Sequence, residues 1–198
     1  MNHIINIRGT NGAGKTTVVR RIMDHLTYYK DYTTTNGVFT HLYRVPGSEK
    51  PVAFIGKYEG AVTGGVDRVK NVRDVVDAAR EIAPFADIVM EGLLLSGLQQ
   101  LTKDIADACI GSAQFHAFTL DTPKEKCIQQ TMNRRALAGN DKPFDPGKSL
   151  LPKYRAVELA HIKMQTWGMD SRLLTQRDAL IQSLTLLGAP FGTSSLSV

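Results

Sequence analysis

The sequence predicts an α/β fold: a parallel β-sheet with helices packed on both faces. Three observations predict it. Short apolar runs that end at glycine, such as HIINIR (3–8) and ADIVMEG (86–92), read as buried parallel strands. Stretches with apolar residues at helical spacing follow them. The two kinds of segment alternate along the chain, which places ligands at the carboxyl ends of the strands. With 198 residues, 42% hydrophobic and 22% charged, the chain suits one domain spanning 1–198 with a substantial core.

The elements follow in order. After the first strand and a glycine loop, Val19, Ile22, Met23 and Leu26 recur at helical spacing. The Tyr- and Thr-rich stretch 27–45 reads as strand-turn-strand around Asn36-Gly37, and PVAFIGKY (51–58) as a further strand. A glycine-containing loop then leads to a helix marked by Val72, Val75, Val76, Ala79, Ile82 and Ala83. Asp87 stands at the start of the next strand, 86–92, and reads as a solvent-exposed or turn residue. A stretch without clear pattern (93–112) is followed by the strand QFHAFTLDTP, and Thr122-Pro123 starts the helix that carries Arg134 and Arg135. Glycines and prolines in 136–150 mark an exposed mobile loop. A helix over 151–167, a short strand over 169–175 and a last helix over 176–188 complete the pattern, and the tail (about 189–198) reads as frayed.

The most specific signal is GTNGAGKTT, Gly9 to Thr17. Gly9, Gly12 and Gly14 let the backbone amides of the loop, together with Thr10, Asn11 and Ala13, point at phosphate oxygens. The helix that begins at Lys15, Thr16 and Thr17 adds its N-terminus to the cradle. In such a P-loop the lysine reaches the β- and γ-phosphates and the first hydroxyl holds Mg²⁺, so the expected cofactors are ATP and Mg²⁺. A strand before the loop and a helix after it are the context the motif requires. The chain lacks the Asp-x-x-Gly and Asn-Lys-x-Asp motifs of common GTPases, and a short chain with a late basic loop resembles the small-molecule and nucleotide kinase branch of P-loop proteins.

Two acidic positions are candidates for the chemistry. Glu91 ends a buried strand, where an acidic residue supports the magnesium shell; the bland reading is a cap on the next turn. In YEGAVTGGVDRVK, Asp67 is the first candidate for the base that takes a hydroxyl proton from an acceptor, and Glu59 the second. Alternatively Asp67 is the N-cap of the helix that follows it. Lys57, Tyr58, Glu59, Gly64, Gly65, Arg68 and Lys70 are candidates for binding the acceptor, with the cations as a solvated helix face otherwise. Arg134 and Arg135 are candidates for stabilising the transferred phosphoryl from a lid, or for an exposed helix end where cations suit the dipole.

Together IRGTNGAGKTTVVRRIM, IGKYEGAVTGGVDRVKN and VMEGLLLS resemble the bacteriophage 5-hydroxymethyluridine DNA kinases. The resemblance implies an ATP-dependent transfer of phosphate to the hydroxymethyl group of a modified pyrimidine in DNA, one step in thymidine hypermodification. It makes DNA the expected partner. The alternatives are a kinase of a free nucleoside, nucleotide or other small hydroxyl compound, and a P-loop ATPase switch. A net charge of +5, and Lys142, Lys148, Lys153 and Arg155 flanking Phe144 and Tyr154, suit either a nucleic acid or ATP alone. No apolar run approaches the roughly 18 residues of a membrane span, the N-terminus does not read as a signal peptide, and two cysteines fit a reducing, cytoplasmic setting.

Overall fold

The computed structural model describes residues 1–59, 64–140 and 142–190, so the tail from 191 and the loop residues 60–63 lie outside the described residues. Each glycine-terminated apolar run is a strand. β1 (Asn2–Arg8) and β5 (Asp87–Glu91) lie side by side and parallel, with Ile4 opposite Ile88 and Ile7 opposite Glu91. β6 (Ala113–Leu120) flanks β1 on the other side, and β7 (Asp170–Leu174) pairs with β6. The hairpin of β2 (Thr27–Thr33) and β3 (Phe39–Arg44) joins through β4 (Pro51–Ile55), completing the order β2-β3-β4-β5-β1-β6-β7.

The sheet is therefore mostly, not wholly, parallel: β3 runs antiparallel to both β2 and β4. The reversal occurs at Gly37, whose φ of 82° lies in the left-handed region that glycine adopts without strain. β2 is the edge strand, and it is exposed along its length except at the half-buried Tyr32.

Strand alternation divides the core. Ile5, Ile7, Phe54 and Val89 face α1 (Lys15–Asp24) and α8 (Gln176–Leu187), against Val18, Val19, Ile22, Ala179 and Leu184. Ile4, Ala53, Ile88 and Met90 face α2 (Asp74–Ile82), α3 (Leu93–Gly97) and α4 (Gln99–Ala108). The remaining helices are α5 (Lys124–Leu137), α6 (Pro146–Ser149) and α7 (Leu151–Thr166).

Three local expectations change. α2 begins at Asp74, because Val66–Arg68 forms a single 3₁₀ turn and Val69 is extended. The patternless stretch 93–112 holds two helices, α3 and α4, broken at Leu98, whose ψ of 82° is not helical. Asp87 is buried, not exposed: it receives Lys50 Nζ at 2.6 Å and the His3 amide at 2.7 Å, which offset its desolvation. Cys109 and Cys127 are both buried free thiols.

At the opposite end of the sheet from the strands' carboxyl ends, Asp170 accepts hydrogen bonds from His116 Nδ1 at 2.6 Å and Arg172 Nε at 2.7 Å. Burial opposes its charge, but those bonds outweigh it, and the carboxyl sits below its ordinary value of 3.8. A depressed carboxyl adds stability that is complete above its unfolded value and is lost as pH falls through the folded one. Asp170→Asn is accordingly expected to lower the melting temperature at neutral pH. Thermal unfolding from pH 7 to pH 2 should show the gap to the wild type closing once pH falls below the ordinary carboxylate range.

Candidate active site

The carboxyl ends of β1 and β5 meet at the glycine loop. At Gly12, φ is +75° and a Cβ would stand 2.4 Å from the Cys127 carbonyl, so the start of α5 can press directly on the loop. Gln176 Nε2, at the start of α8, and the Thr122 hydroxyl both donate to the Ala13 carbonyl, at 3.0 and 3.1 Å. Ser96 Oγ accepts the Gly9 amide at 3.1 Å from the other side. The loop is thus held by α3, α5 and α8 together.

Lys15 is buried within the loop. Its Nζ donates to the Gly9 and Thr10 carbonyls at 2.9 and 3.1 Å. Burial pulls its pKa down, while the nearby carboxylates of Glu91 and Asp67 pull it back up. Glu91 closes β5 as a 1% exposed residue, and burial raises its pKa against the opposing pull of Lys15 and a hydrogen bond from the Thr16 hydroxyl, 2.7 Å long. These groups, with Asn11, Gly12, Gly14, Thr17, Gly64, Asp67 and Arg134, line one polar cleft of about 220 Å³.

Asp67 reaches the cleft across the chain. Its carboxylate accepts the Leu93 amide at 2.8 and 2.9 Å and the Leu94 amide at 3.4 Å, so it caps α3, not the helix that follows it in sequence. That contact holds the acidic turn directly beside Glu91. It is possible because Gly65, with φ of +69°, crosses the end of β5, where a Cβ would lie 2.5 Å from the Glu91 carbonyl. Gly64 lines the cleft as well.

The other acceptor-side candidates separate. Glu59 is exposed and faces a hollow with Asp31, Tyr28 and His41, whose Nε2 is 3.8 Å away. Lys57, Arg68 and Lys70 do come together, but around a hollow of about 300 Å³ with Asn36 and Asp74 that shares no lining residue with the cleft. Tyr58 is a 6% exposed core residue whose pKa burial, together with Glu91 and Asp67, raises well above 10. The two arginines also part: Arg134 lines the cleft, whereas Arg135 donates to Asn140 Oδ1 and the Lys142 carbonyl and lies over the Phe144 ring.

Three groups escaped the sequence reading. Arg20, one turn beyond Lys15, lines the cleft and donates to the Tyr58 carbonyl at 3.1 Å. Gln130 lines it from α5. Arg8 is fully buried one residue before the loop, and its guanidinium donates to Thr102 Oγ1 and the Ser96 carbonyl, both at 2.7 Å. Burial brings its pKa down to about 9, which leaves it a cation at neutral pH. No sequence signal distinguishes such an arginine from a surface one.

No protein-family model matches the chain. Among curated proteins it is 29% identical over 168 residues to a 5-hmdU DNA kinase of Pseudomonas phage PaMx11, covering 84% of this chain and 87% of the relative. It is 26% identical over 201 residues to a 5-hmdU DNA kinase of Delftia phage PhiW-14, covering 91% and 70%. It is 30% identical over 140 residues to one of Pseudomonas phage M6, covering 66% and 71%. Fold, cleft and relatives define the class: an α/β phosphotransferase that acts on a hydroxyl group. Within that class, the chain belongs to the 5-hmdU DNA kinase family.

Proposed function

We propose that this kinase is a single P-loop domain that transfers the γ-phosphate of ATP to the hydroxymethyl group of 5-hydroxymethyluracil in DNA, a step in phage thymidine hypermodification. The observation that carries the reading is the convergence of Lys15, Thr16, Asp67, Glu91 and Arg134 on one cleft at the glycine loop. The loop amides and Lys15 hold the triphosphate, and the lysine and Arg134 offset charge on the phosphoryl group as it moves.

The Thr16 hydroxyl and Glu91 carboxylate are hard oxygen donors 2.7 Å apart. Among the described residues no three His, Cys, Asp or Glu side chains cluster as a metal cage. That donor set fits Mg²⁺, which takes one or two protein oxygens and completes its shell with water and substrate phosphates. When bound, the ion would neutralise negative charge on the donor's terminal phosphates.

Asp67 accepts the hydroxyl proton as the acceptor oxygen forms its bond to phosphorus, and ADP leaves. The Leu93 and Leu94 amides fix the direction of its carboxylate. A base in duplex DNA must leave the stack to reach the cleft, at a cost of about a few kcal/mol. Contacts of Lys57, Arg68 and Lys70, which line one hollow, to backbone phosphates would offset that cost. In this reading the loop expected over 136–150 serves as the lid, and Arg134 reaches the donor from the helix that leads into it.

Two tests follow. Arg134→Ala should lower kcat by about 10²-fold, while Arg135→Ala should leave kcat nearly unchanged and lower the melting temperature. Steady-state kinetics and melting curves on both variants separate them, and equal kcat losses would contradict the assignment. For DNA as acceptor, log affinity should fall linearly with log salt, losing several orders of magnitude between about 50 and 200 mM if six or more phosphates are contacted. A flat salt response would reject a DNA acceptor.

A further inference from the structure

The hollow that Glu59 faces, of about 550 Å³, adjoins the phosphate cleft, and none of the roles above uses it. Arg20 lines both. Tyr58 lines the hollow and backs onto Gly64 of the cleft, where a Cβ would stand 3.1 Å from its ring. Arg20 donates to the Tyr58 carbonyl at 3.1 Å, so these two residues form the partition between hollow and cleft.

One irregularity in β2 builds the hollow. Tyr28 and Asp31 are three residues apart, and in a regular strand they would point to opposite faces. The register of β2 on β3 shifts between Tyr28 and Lys30, so that Tyr28 stands opposite Tyr43 and Asp31 opposite His41. Tyr43 and His41 are two residues apart and share a face, so the bulge turns Tyr28 and Asp31 to that same side. All four line the hollow.

The lining selects an occupant. Tyr28 and Tyr43 meet edge to face at 5.6 Å, and Tyr28 remains 52% exposed. An exposed ring beside a cavity offers a stacking face to another planar ring. Asp24, Asp31 and Glu59 bring carboxylates, which accept N–H groups and repel anions. That disfavours a triphosphate and favours a neutral ring with an N–H edge. The strand that carries such a ring has a place of its own: Arg68 of the cationic hollow donates to the Glu59 carbonyl at 3.0 Å, so the two hollows meet at Glu59. We infer that the hollow beside Arg20 receives the pyrimidine base of the acceptor, stacked on Tyr28 with its N–H edge toward the carboxylates of Asp31 and Glu59, and that the hydroxymethyl group passes Arg20 to reach the cleft. The inference rests on the reading of the chain as a kinase of a hydroxymethylated pyrimidine.

Tyr28→Ala removes the ring from an exposed position, and Asp24→Trp, at another exposed position, fills the hollow. With an oligonucleotide bearing one 5-hydroxymethyluracil, Tyr28→Ala should raise the KM for DNA about tenfold, the loss of one base–aromatic stack. Tyr28→Phe, which keeps the ring, should restore it. Asp24→Trp should raise the KM for DNA at least as much as Tyr28→Ala. The KM for ATP and the melting temperature should stay at their wild-type values in all three. A wild-type KM for DNA in either Tyr28→Ala or Asp24→Trp, or an equal rise in the KM for ATP, overturns the assignment. Wild-type protein that phosphorylates only free 5-hydroxymethyl-2′-deoxyuridine rejects the DNA acceptor, yet the same variants then read the hollow through the KM for that nucleoside, with the same outcomes. Wild-type activity on neither acceptor overturns both.

Discussion

Lys15→Ala is expected to lower kcat by about 10²–10³-fold, the loss typical when one preorganised donor is removed from a developing anion. The geometry makes this the most sensitive position in the cleft. Its amine is buried, donates to the Gly9 and Thr10 carbonyls and lies beside two carboxylates. The KM for DNA should change little, because the lysine faces the donor. The loss of its charge also removes the pull that opposes the burial of Glu91, which shifts that carboxyl further toward its neutral form. Binding of ATP in the presence of Mg²⁺ should therefore weaken along with kcat. Wild-type turnover in this variant would contradict the phosphate-cradle reading.

Asp67→Asn should lower kcat by about 10²-fold or more, the usual contribution of a positioned base. The substitution isolates the chemistry from the fold. An asparagine Oδ1 can still accept the Leu93 amide, so the cap on α3 and the crossing of the loop over Glu91 persist. ATP affinity and melting temperature should then stay close to wild type. Glu59→Gln should have no comparable effect, since Glu59 faces the hollow beside His41 and not the cleft. A rate unchanged in Asp67→Asn, measured with saturating ATP and modified DNA, would remove Asp67 from the base role.

Much of the fold was legible because it rests on local patterns. Ile4, Ile5 and Ile7 form a run that only a strand buried on both faces requires, and Val19, Ile22 and Met23 repeat at helical spacing. The loop from Gly9 to Thr17 was legible for the same reason: its glycines and its Lys-Thr pair lie in one contiguous stretch. The antiparallel placement of β3 was less so. The turn at Asn36-Gly37 was readable, but the partner on the far side of β3 depends on which strands meet in space.

The candidate site was legible in parts. Glu91 could be placed because it ends a core strand beside β1. The choice between Asp67 and Glu59 could not be made, since it turns on a contact between residues 67 and 93 that no local pattern encodes. Arg134 and Arg135 are adjacent in sequence but about 100° apart around the helix, so one faces the cleft and the other holds the following loop. Arg8 was invisible because a buried arginine bonded to Ser96 and Thr102 leaves no charge partner in the sequence to suggest it.

The central claim is that the phosphate passes from ATP to a hydroxymethylated base in DNA. It is tested most directly by incubating the protein with γ-labelled ATP and, in parallel, DNA containing 5-hydroxymethyluracil, the same DNA with thymine, and free 5-hydroxymethyl-2′-deoxyuridine. The account predicts label on the modified DNA alone. Label on the free nucleoside alone, or equal label on both DNAs, would contradict it.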